Sequence, residues 1–247
     1  SVFHCNESLG EKNSVKKAEQ ELKNRYESLE NKYDKFLAEN YDYKANTYET
    51  NKINLLSNPT SLYTKQPTVY YGLMYLAKNA KKEVKIHTPY IICNDYMYKE
   101  LKNIKVPTTI MTNSAENNGN IFGAVDYLNH KKDIINTGVT IKEYEGGISY
   151  HGKSMTIDDD IAIVGSFNMD MRSAYIDTEL MLVINSKDIN KQLKASMEEY
   201  EKKAATVKNE TEYSHIPEGM KMKELSDKKK NIKAWFGWAM NGLRFLF

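Results

Sequence analysis

The stretch from His151 to Glu179, HGKSMTIDDDIAIVGSFNMDMRSAYIDTE, constrains the folding of this chain more than any other. Its apolar segments, Lys153 to Ile157 and Ile161 to Val164, flank the run Asp158-Asp159-Asp160. Short apolar runs on either side of a polar turn predict a buried β-hairpin. A strand sends residues i and i+2 to the same face. His151 therefore shares a face with Lys153, Ser166 shares one with Asn168, and the hairpin sets the two pairs side by side. An imidazole, an ammonium, a hydroxyl and a carboxamide converging in this way suit an anionic phosphate.

Around the hairpin, strands and helices alternate. Apolar residues at Val15, Ala18, Leu22, Tyr26, Leu29, Tyr33 and Phe36 step by three and four, which predicts an amphipathic helix from Ser14, its N-cap, to about Glu39. Such a face either packs on its own domain, the simpler reading, or forms a coiled-coil-like connector. A strand end at Leu55 to Asn58 begins the globular part, and Pro67 opens an apolar helix. Val84 to Ile92 reads as a strand, Asp95 to about Lys102 as a short helix, and Thr108 to Thr112 as a strand. The loop from Asn113 to Asn120 follows at that strand's carboxyl end, where open α/β sheets keep their ligand crevices. Ile121 to Ile135 is helical, Val139 to Tyr144 a strand, and Asp188 caps a helix from Ile189 to about Ala205. This alternation predicts an α/β sandwich with a mixed central sheet flanked by helices. Three regions follow: a helical connector over 1–50, a catalytic part over 51–205, and a Lys-rich linker with an aromatic tail over 206–247.

Charge is nearly balanced, with 35 Lys+Arg against 33 Asp+Glu, so only its distribution bears on partners. Lys and Arg form no dense stripe around the hairpin, where Asp158, Asp159, Asp160, Asp170 and Asp177 gather. Phosphate-backbone binding wants the opposite, so nucleic acid is not favoured. Cys5 and Cys93 make neither a disulfide framework nor a metal-ligand spacing, and His4 beside Cys5 has no further ligands. No apolar run reaches the roughly 18 residues of a membrane span. The segment from Lys233 to Phe247, preceded by Lys221, Lys223, Lys228, Lys229 and Lys230, is rich in aromatics. It suits either an anionic membrane surface or docking on the protein's own body.

The pattern H-x-K-x4-D-x6-G-S-x-N is met at His151, Lys153, Asp158, Gly165, Ser166 and Asn168. With it, the chain resembles the phospholipase D superfamily. The continuation NMDMRSAYIDTE, with Asp170, Arg172, Ser173 and Glu179, and the phrase KIHTPYII are similar to the cardiolipin synthase branch. The resemblance runs from about Leu55 to about Tyr200 and corresponds to the C-terminal half of a two-motif enzyme. It implies a phospholipase D-like sandwich half, with an N-terminal helix and a C-terminal helical tail added. It also implies phosphatidyl transfer or hydrolysis at a phospholipid phosphodiester through a covalent phosphohistidine, without metal or cofactor.

The resemblance assigns His151, Lys153, Asp158 and Glu179 to the catalytic set, with Glu179 bonded to the histidine. Lys153, Ser166 and Asn168 would hold phosphate oxygens. The place of Asp158 at the hairpin turn points instead to an architectural bond, and Asp159 and Asp160 read as solvated. His87 reads as a structural histidine, His130 as a solvated one, and Met169, Met171 and Met181 as packing. Arg172 is open between a head-group contact and a salt bridge.

The implied mechanism uses two histidines, one attacking phosphorus and one handling the proton of the alcohol. The chain holds a single H-x-K, so a second half is expected, upstream in the same polypeptide or from another copy. Which role His151 takes stays open. The expected setting is a membrane surface, with a phospholipid substrate, at the bacterial inner membrane. A homodimeric nuclease and an inactive lipid-binding half are the alternatives.

Overall fold

The computed structural model describes residues 12–37, 42–60, 63–236, 242 and 244–246. Expectations for His4, Cys5, the side chains of Tyr33 and Phe36, and Trp238 lie outside the described residues. Two compact units are present, Ser1–Thr47 and Tyr48–Phe247. The first contains one described helix, α1 (Asn13–Leu37), in which Leu22, Tyr26 and Leu29 are exposed. Its surface carries ion pairs one turn apart, Lys23–Glu19 and Arg25–Glu21.

The second unit is built on a mixed sheet. Its strands in chain order are β1 (Lys52–Ser57), β2 (Val84–His87), β4 (Thr108–Asn113), β5 (Thr140–Tyr144), β6 (Ser154–Ile157), β7 (Ile161–Gly165), β9 (Leu180–Asn185), β10 (Ala204–Val207) and β11 (Tyr213–His215). They lie in the order β1-β9-β7-β6-β2-β4-β5-β10-β11. The pairs β2–β4 and β4–β5 are parallel. A short parallel pair, β3 (Ile91–Ile92) with β8 (Met169–Asp170), stands apart. The run from Val84 to Ile92 is thus two strands rather than one, because Thr88-Pro89-Tyr90 turns away from the sheet after His87.

The alternation of the strands assigns the two faces. Val84, Ile86, Ile110, Ile141, Met155, Ile157, Ile163, Met181 and Val183 are buried in one core. Helices α2 (Thr68–Lys78), α3 (Asp95–Lys102) and α4 (Ile121–Ile135) cover that face, through Leu73, Met74, Met97, Leu101 and Ile134. Burying such side chains contributes about 1.5–3 kcal/mol each, which makes this face the main source of stability. The opposite face carries Lys85, His87, Lys142, Tyr144 and Thr156. It is crossed by α6 (Lys187–Glu201), which contacts β5, β6, β7, β9 and β10.

Helix α6 ends at Glu201, four residues before the expected stop at Ala205. Ala204, Ala205 and Thr206 pair with Tyr144, Glu143 and Lys142 instead, extending the sheet. The region expected to be a linker likewise adds β11 and helix α7 (Asp227–Phe236). Lys229 on α7 is buried and donates to the carbonyls of Ala115, Glu116 and Asn118 at 2.9, 2.5 and 3.0 Å. Beyond it, Arg244 in the 3-10 turn Arg244–Leu246 donates to the buried Asp126 carboxylate at 2.7 and 3.1 Å and to the Cys93 carbonyl at 2.9 Å. At these residues the tail docks on the protein. Its Trp235 is exposed. Among the described residues no helix is long and apolar enough to cross a membrane.

At the hairpin turn Asp158 makes the architectural bonds that its place in the sequence suggests. It lies at the end of β6 remote from His151, with φ 51°. Its carboxylate accepts from the amides of Lys81 (2.9 Å), Lys82 (2.7 Å) and Glu83 (3.1 Å). Burial tends to raise this carboxyl, but the three amides hold it below the ordinary aspartate value. It joins the α2–β2 loop to the hairpin. Asp159 pairs with Lys82 and Lys194.

Asp158→Ala would leave those amides without their acceptor and a β-carbon residue at positive φ. It should lower the unfolding free energy by about 2–4 kcal/mol in urea titrations, with Asp158→Asn milder. In both variants the titration of His151 should stay where it is.

Candidate active site

The site is assembled at one end of the β6–β7 hairpin. Ser154 pairs with Val164, and the Gly165 amide donates to the Lys153 carbonyl at 3.2 Å. That bond sets Lys153 beside Gly165, the residue before Ser166. Gly165 is required here because a Cβ would collide with the Leu180 carbonyl of β9. The Ser166 amide then donates to that carbonyl at 2.9 Å, closing β7 onto β9.

A second layer of polar groups supports Ser166 and Asn168 from below. The Glu179 carboxylate is 6% exposed and accepts from two hydroxyls, Ser166 Oγ and Ser173 Oγ, the latter at 2.8 Å. Ser173 Oγ in turn accepts from the Asn168 amide at 3.3 Å. The Asn168 Oδ1 is buried and has no hydrogen-bond partner among the described residues. Helix α5 (Met171–Tyr175) places Ser173, and Asp170 caps it by accepting from the Ser173 amide at 2.6 Å.

The expected bond between Glu179 and His151 is absent among the described residues. Ser166 and Ser173 take both carboxylate oxygens instead. The histidine has two other neighbours. Lys153 Nζ lies 2.7 Å from its Nδ1, and also donates to the His151 carbonyl at 2.9 Å. The Tyr90 hydroxyl lies 3.4 Å from its Nε2, with the rings edge-to-face at 6.0 Å. An ammonium can only donate, so Nδ1 acts as acceptor in this geometry and Nε2 carries the ring proton.

Burial, and then the charge of Lys153, hold the His151 imidazolium below the ordinary histidine value. Burial also lowers the Lys153 ammonium, opposed by the charges of Glu179 and Asp170. Asp170 itself is pushed up to about 6, chiefly by burial, against the bonds from Ser173. The site therefore sets the Lys153 ammonium and a neutral imidazole over two buried carboxylates.

Tyr90 was not singled out from sequence. Its signal was the break Thr88-Pro89-Tyr90 inside an apolar run. The β3–β8 pair, Ile91 with Met169 and Ile92 with Asp170, brings it to the site. His87 is structural, as expected: it is buried, with Nδ1 3.2 Å from the Tyr150 hydroxyl and Nε2 3.3 Å from Glu201. His130 is less solvated than expected, lying 3.0 Å from Asp133. Met169 and Met181 are buried packing residues. Arg172 makes an exposed salt bridge to Asp177 at 3.1 Å.

The family model "Cardiolipin synthase, PLD-like domain" matches residues 73–200. Cardiolipin synthase 1 of Staphylococcus epidermidis is 30% identical over 159 residues, covering 63% of this chain and 32% of that protein. A Staphylococcus aureus cardiolipin synthase is 31% identical over 129 residues, 51% of this chain and 26% of that protein. The matched part thus spans about a quarter to a third of the length of these curated relatives. Among solved structures, phosphatidylserine synthase of Haemophilus influenzae superposes with a TM-score of 0.56 at 15% identity, covering 79% of this chain and 48% of that one. Nuc of Salmonella typhimurium, a phospholipase D family member, superposes with 0.51 at 16% identity, covering 63% and 97%. Both likenesses bear on the fold.

Two titrations test the electrostatics. NMR of the His151 ring should give a midpoint below the ordinary histidine value, and Lys153→Met should move it upward, since a neighbouring positive charge is removed. For Asp170 the folded carboxyl holds its proton more tightly than the unfolded one, so its ionisation costs stability as pH rises from the ordinary value of 3.8 to about 6. Asp170→Asn keeps a capping side chain without the buried charge. Relative to the parent protein it should gain about 1–3 kcal/mol in unfolding free energy between pH 4 and pH 7.5, read by chemical denaturation at both.

Proposed function

From the premise that the chain belongs to the cardiolipin synthase, phospholipase D-like domain family, we propose that it is one histidine-bearing half of an enzyme that transfers or hydrolyses phosphatidyl groups. The substrate is a phospholipid at a membrane surface. The observation that carries this reading is the Gly165–Lys153 bond, which sets the segment of His151 and Lys153 alongside the segment that leads into Ser166 and Asn168.

A phosphodiester resists attack because it is anionic, so its site must neutralise charge and supply a strong nucleophile. Lys153 meets the first need with a charge-assisted contact, and Asn168 would serve a phosphate oxygen through its Nδ2 donor. Ser166 already donates to Glu179, so its contribution is the orientation of this wall. In the resting geometry Lys153 occupies Nδ1 of His151. An incoming phosphate draws the ammonium onto its own oxygens and releases the ring to exchange tautomers. Nε2, freed of its proton, then forms the N–P bond while the P–O bond to the leaving alcohol breaks. The leaving oxygen takes its proton from a histidine of the second half. That histidine next removes the proton of the incoming alcohol, whose oxygen displaces His151 from phosphorus. Either histidine of the pair can take the attacking role.

Exposed apolar side chains support a second half. Leu55 and Leu182 face one another across β1–β9, with Ile53 and Leu180 beside them, and the strip reaches Ser166 through Leu180. A second phospholipase D-like half, from the same polypeptide or another copy, would cover it.

The test combines light scattering with turnover of radiolabelled phosphatidylglycerol. A dimer should be active, or a monomer should become active only when the second half is added. His151→Asn should lower turnover by at least about 10³-fold and abolish an acid-labile, base-stable phosphoprotein trapped by rapid quenching. Full turnover by a monomer would overturn the two-histidine reading.

A further inference from the structure

Beside His151 the protein forms a groove of about 430 Å³ that no step above uses. Its walls are Tyr144 and Tyr150, Tyr200 from α6, and Ile148, with His151 at one end. The three tyrosines pack on one another, Tyr150 to Tyr200 at 4.9 Å between centroids, and Tyr144 to each of the others at 5.9 Å. The wall is prebuilt. Tyr150 is held through its backbone by Asn113, whose Oδ1 accepts from the Tyr150 amide at 2.7 Å and whose Nδ2 donates to its carbonyl at 2.9 Å. Its hydroxyl is turned to the buried His87 at 3.2 Å. Gly146 leaves room for Tyr144, since a Cβ there would collide with the Tyr144 hydroxyl.

Ile148 is the unusual member. It is 82% exposed and follows Gly147, which has φ 88°. It is fixed rather than loose, because Asn117 Nδ2 donates to its carbonyl at 3.1 Å and the Gly119 amide donates to Ser149 Oγ at 3.1 Å. An aliphatic side chain held in water three residues from the reacting histidine has no packing reason to be there. It gains free energy when something apolar covers it.

We propose that this groove takes the diacylglycerol arm of the phospholipid, with the phosphate at His151 and Lys153 and the first acyl carbons against Ile148 and Tyr200. The proposal rests on the phospholipid reading given above and names the part of the substrate that this site recognises. Three observations point to an acyl arm. The groove shares His151 with the phosphate site, so an ester arm of a bound phosphodiester must enter it or turn away. Its lining includes no lysine or arginine. The nearby Lys142 and Lys223 are already paired, with Glu201 at 2.6 Å and Glu145 at 3.2 Å. A nucleic acid strand would need free cations along its backbone, whereas a neutral diacylglycerol arm needs only apolar surface.

The test is an NMR titration of the full chain with two soluble probes, glycerophosphoglycerol and dihexanoyl-phosphatidylglycerol below its micelle concentration. Each buried methylene is worth roughly a factor of four, so the acylated probe should bind at least about tenfold more tightly. Ile148→Ser and Tyr200→Ala should each shrink that advantage, and together bring it within about threefold, while leaving the affinity for glycerophosphoglycerol unchanged. Ile148→Ser lies on an exposed side chain and keeps the test clear of misfolding. Lys153→Ala should weaken both probes. If both probes bind equally and Lys153→Ala weakens both, the groove proposal fails while the phosphodiester reading stands. If neither binds, both fail. Tighter binding of a thymidine pentanucleotide, lost in Tyr200→Ala, would overturn the acyl assignment in favour of stacked bases.

Discussion

The antiparallel pairing of β6 with β7 is the constraint on which the site depends. Because strand side chains alternate with period two, a slip of one residue would exchange the two faces of the hairpin and take Met155, Ile157 and Ile163 out of the core. Bonds at three places prevent such a slip. Asp158 ties the turn end to the amides of Lys81, Lys82 and Glu83. Gly165 donates to Lys153 at the open end, and Ser166 to Leu180 on β9. The pair is thus held at its turn, at its mouth and along its outer edge. It sits near the middle of the sheet, where neither strand has a free edge.

Beneath this hairpin the protein keeps two carboxylates in a place poor in water. Burying a charge is costly unless it is paired and hydrogen-bonded. Glu179 meets that cost through two serine hydroxyls, and Asp170 in part through the cap of α5. Their return is electrostatic. Both favour the charged form of Lys153, which burial would otherwise suppress. A lysine that stays cationic while half withdrawn from solvent is the group a phosphate wants. Glu179 thus acts on the lysine side of the pair and on the serine wall, and the imidazole is held by Tyr90 and Lys153.

The C-terminal segment contributes to the same end of the sheet from outside. Lys229 gathers the carbonyls of Ala115, Glu116 and Asn118. The loop so fixed carries Asn117 and follows Asn113, and these two asparagines hold the backbone of Ile148 and Tyr150. His151 comes next in the chain. A lysine that sequence composition alone would assign to a solvated, membrane-facing cluster is therefore one link in the support of the site. Arg244, paired with the buried Asp126, is a second anchor of the same kind.

The elements around the motif were legible in the sequence because their signals are local. The hairpin follows from two apolar runs about an acidic turn, and the helices α3 and α4 from their sequence patterns. Period-two spacing pairs His151 with Lys153 and Ser166 with Asn168. Other features rest on contacts between distant residues, which no local pattern reports. Ala204 and Ala205 read equally well as helix, and only the open edge of β5 made them a strand. Glu179 was expected to bond His151, but Ser166 and Ser173, the latter placed by a five-residue helix, take its carboxylate instead. Tyr90 reaches His151 only through the β3–β8 pair, and Asp158 finds its amides across 75 to 77 residues of chain. By itself the sequence determined the strand pair and the spacing of the polar residues at its mouth, because spacing and alternation act along the chain. The tertiary structure decided which side chain orients which, because hydrogen bonds and burial depend on neighbours that only folding brings together.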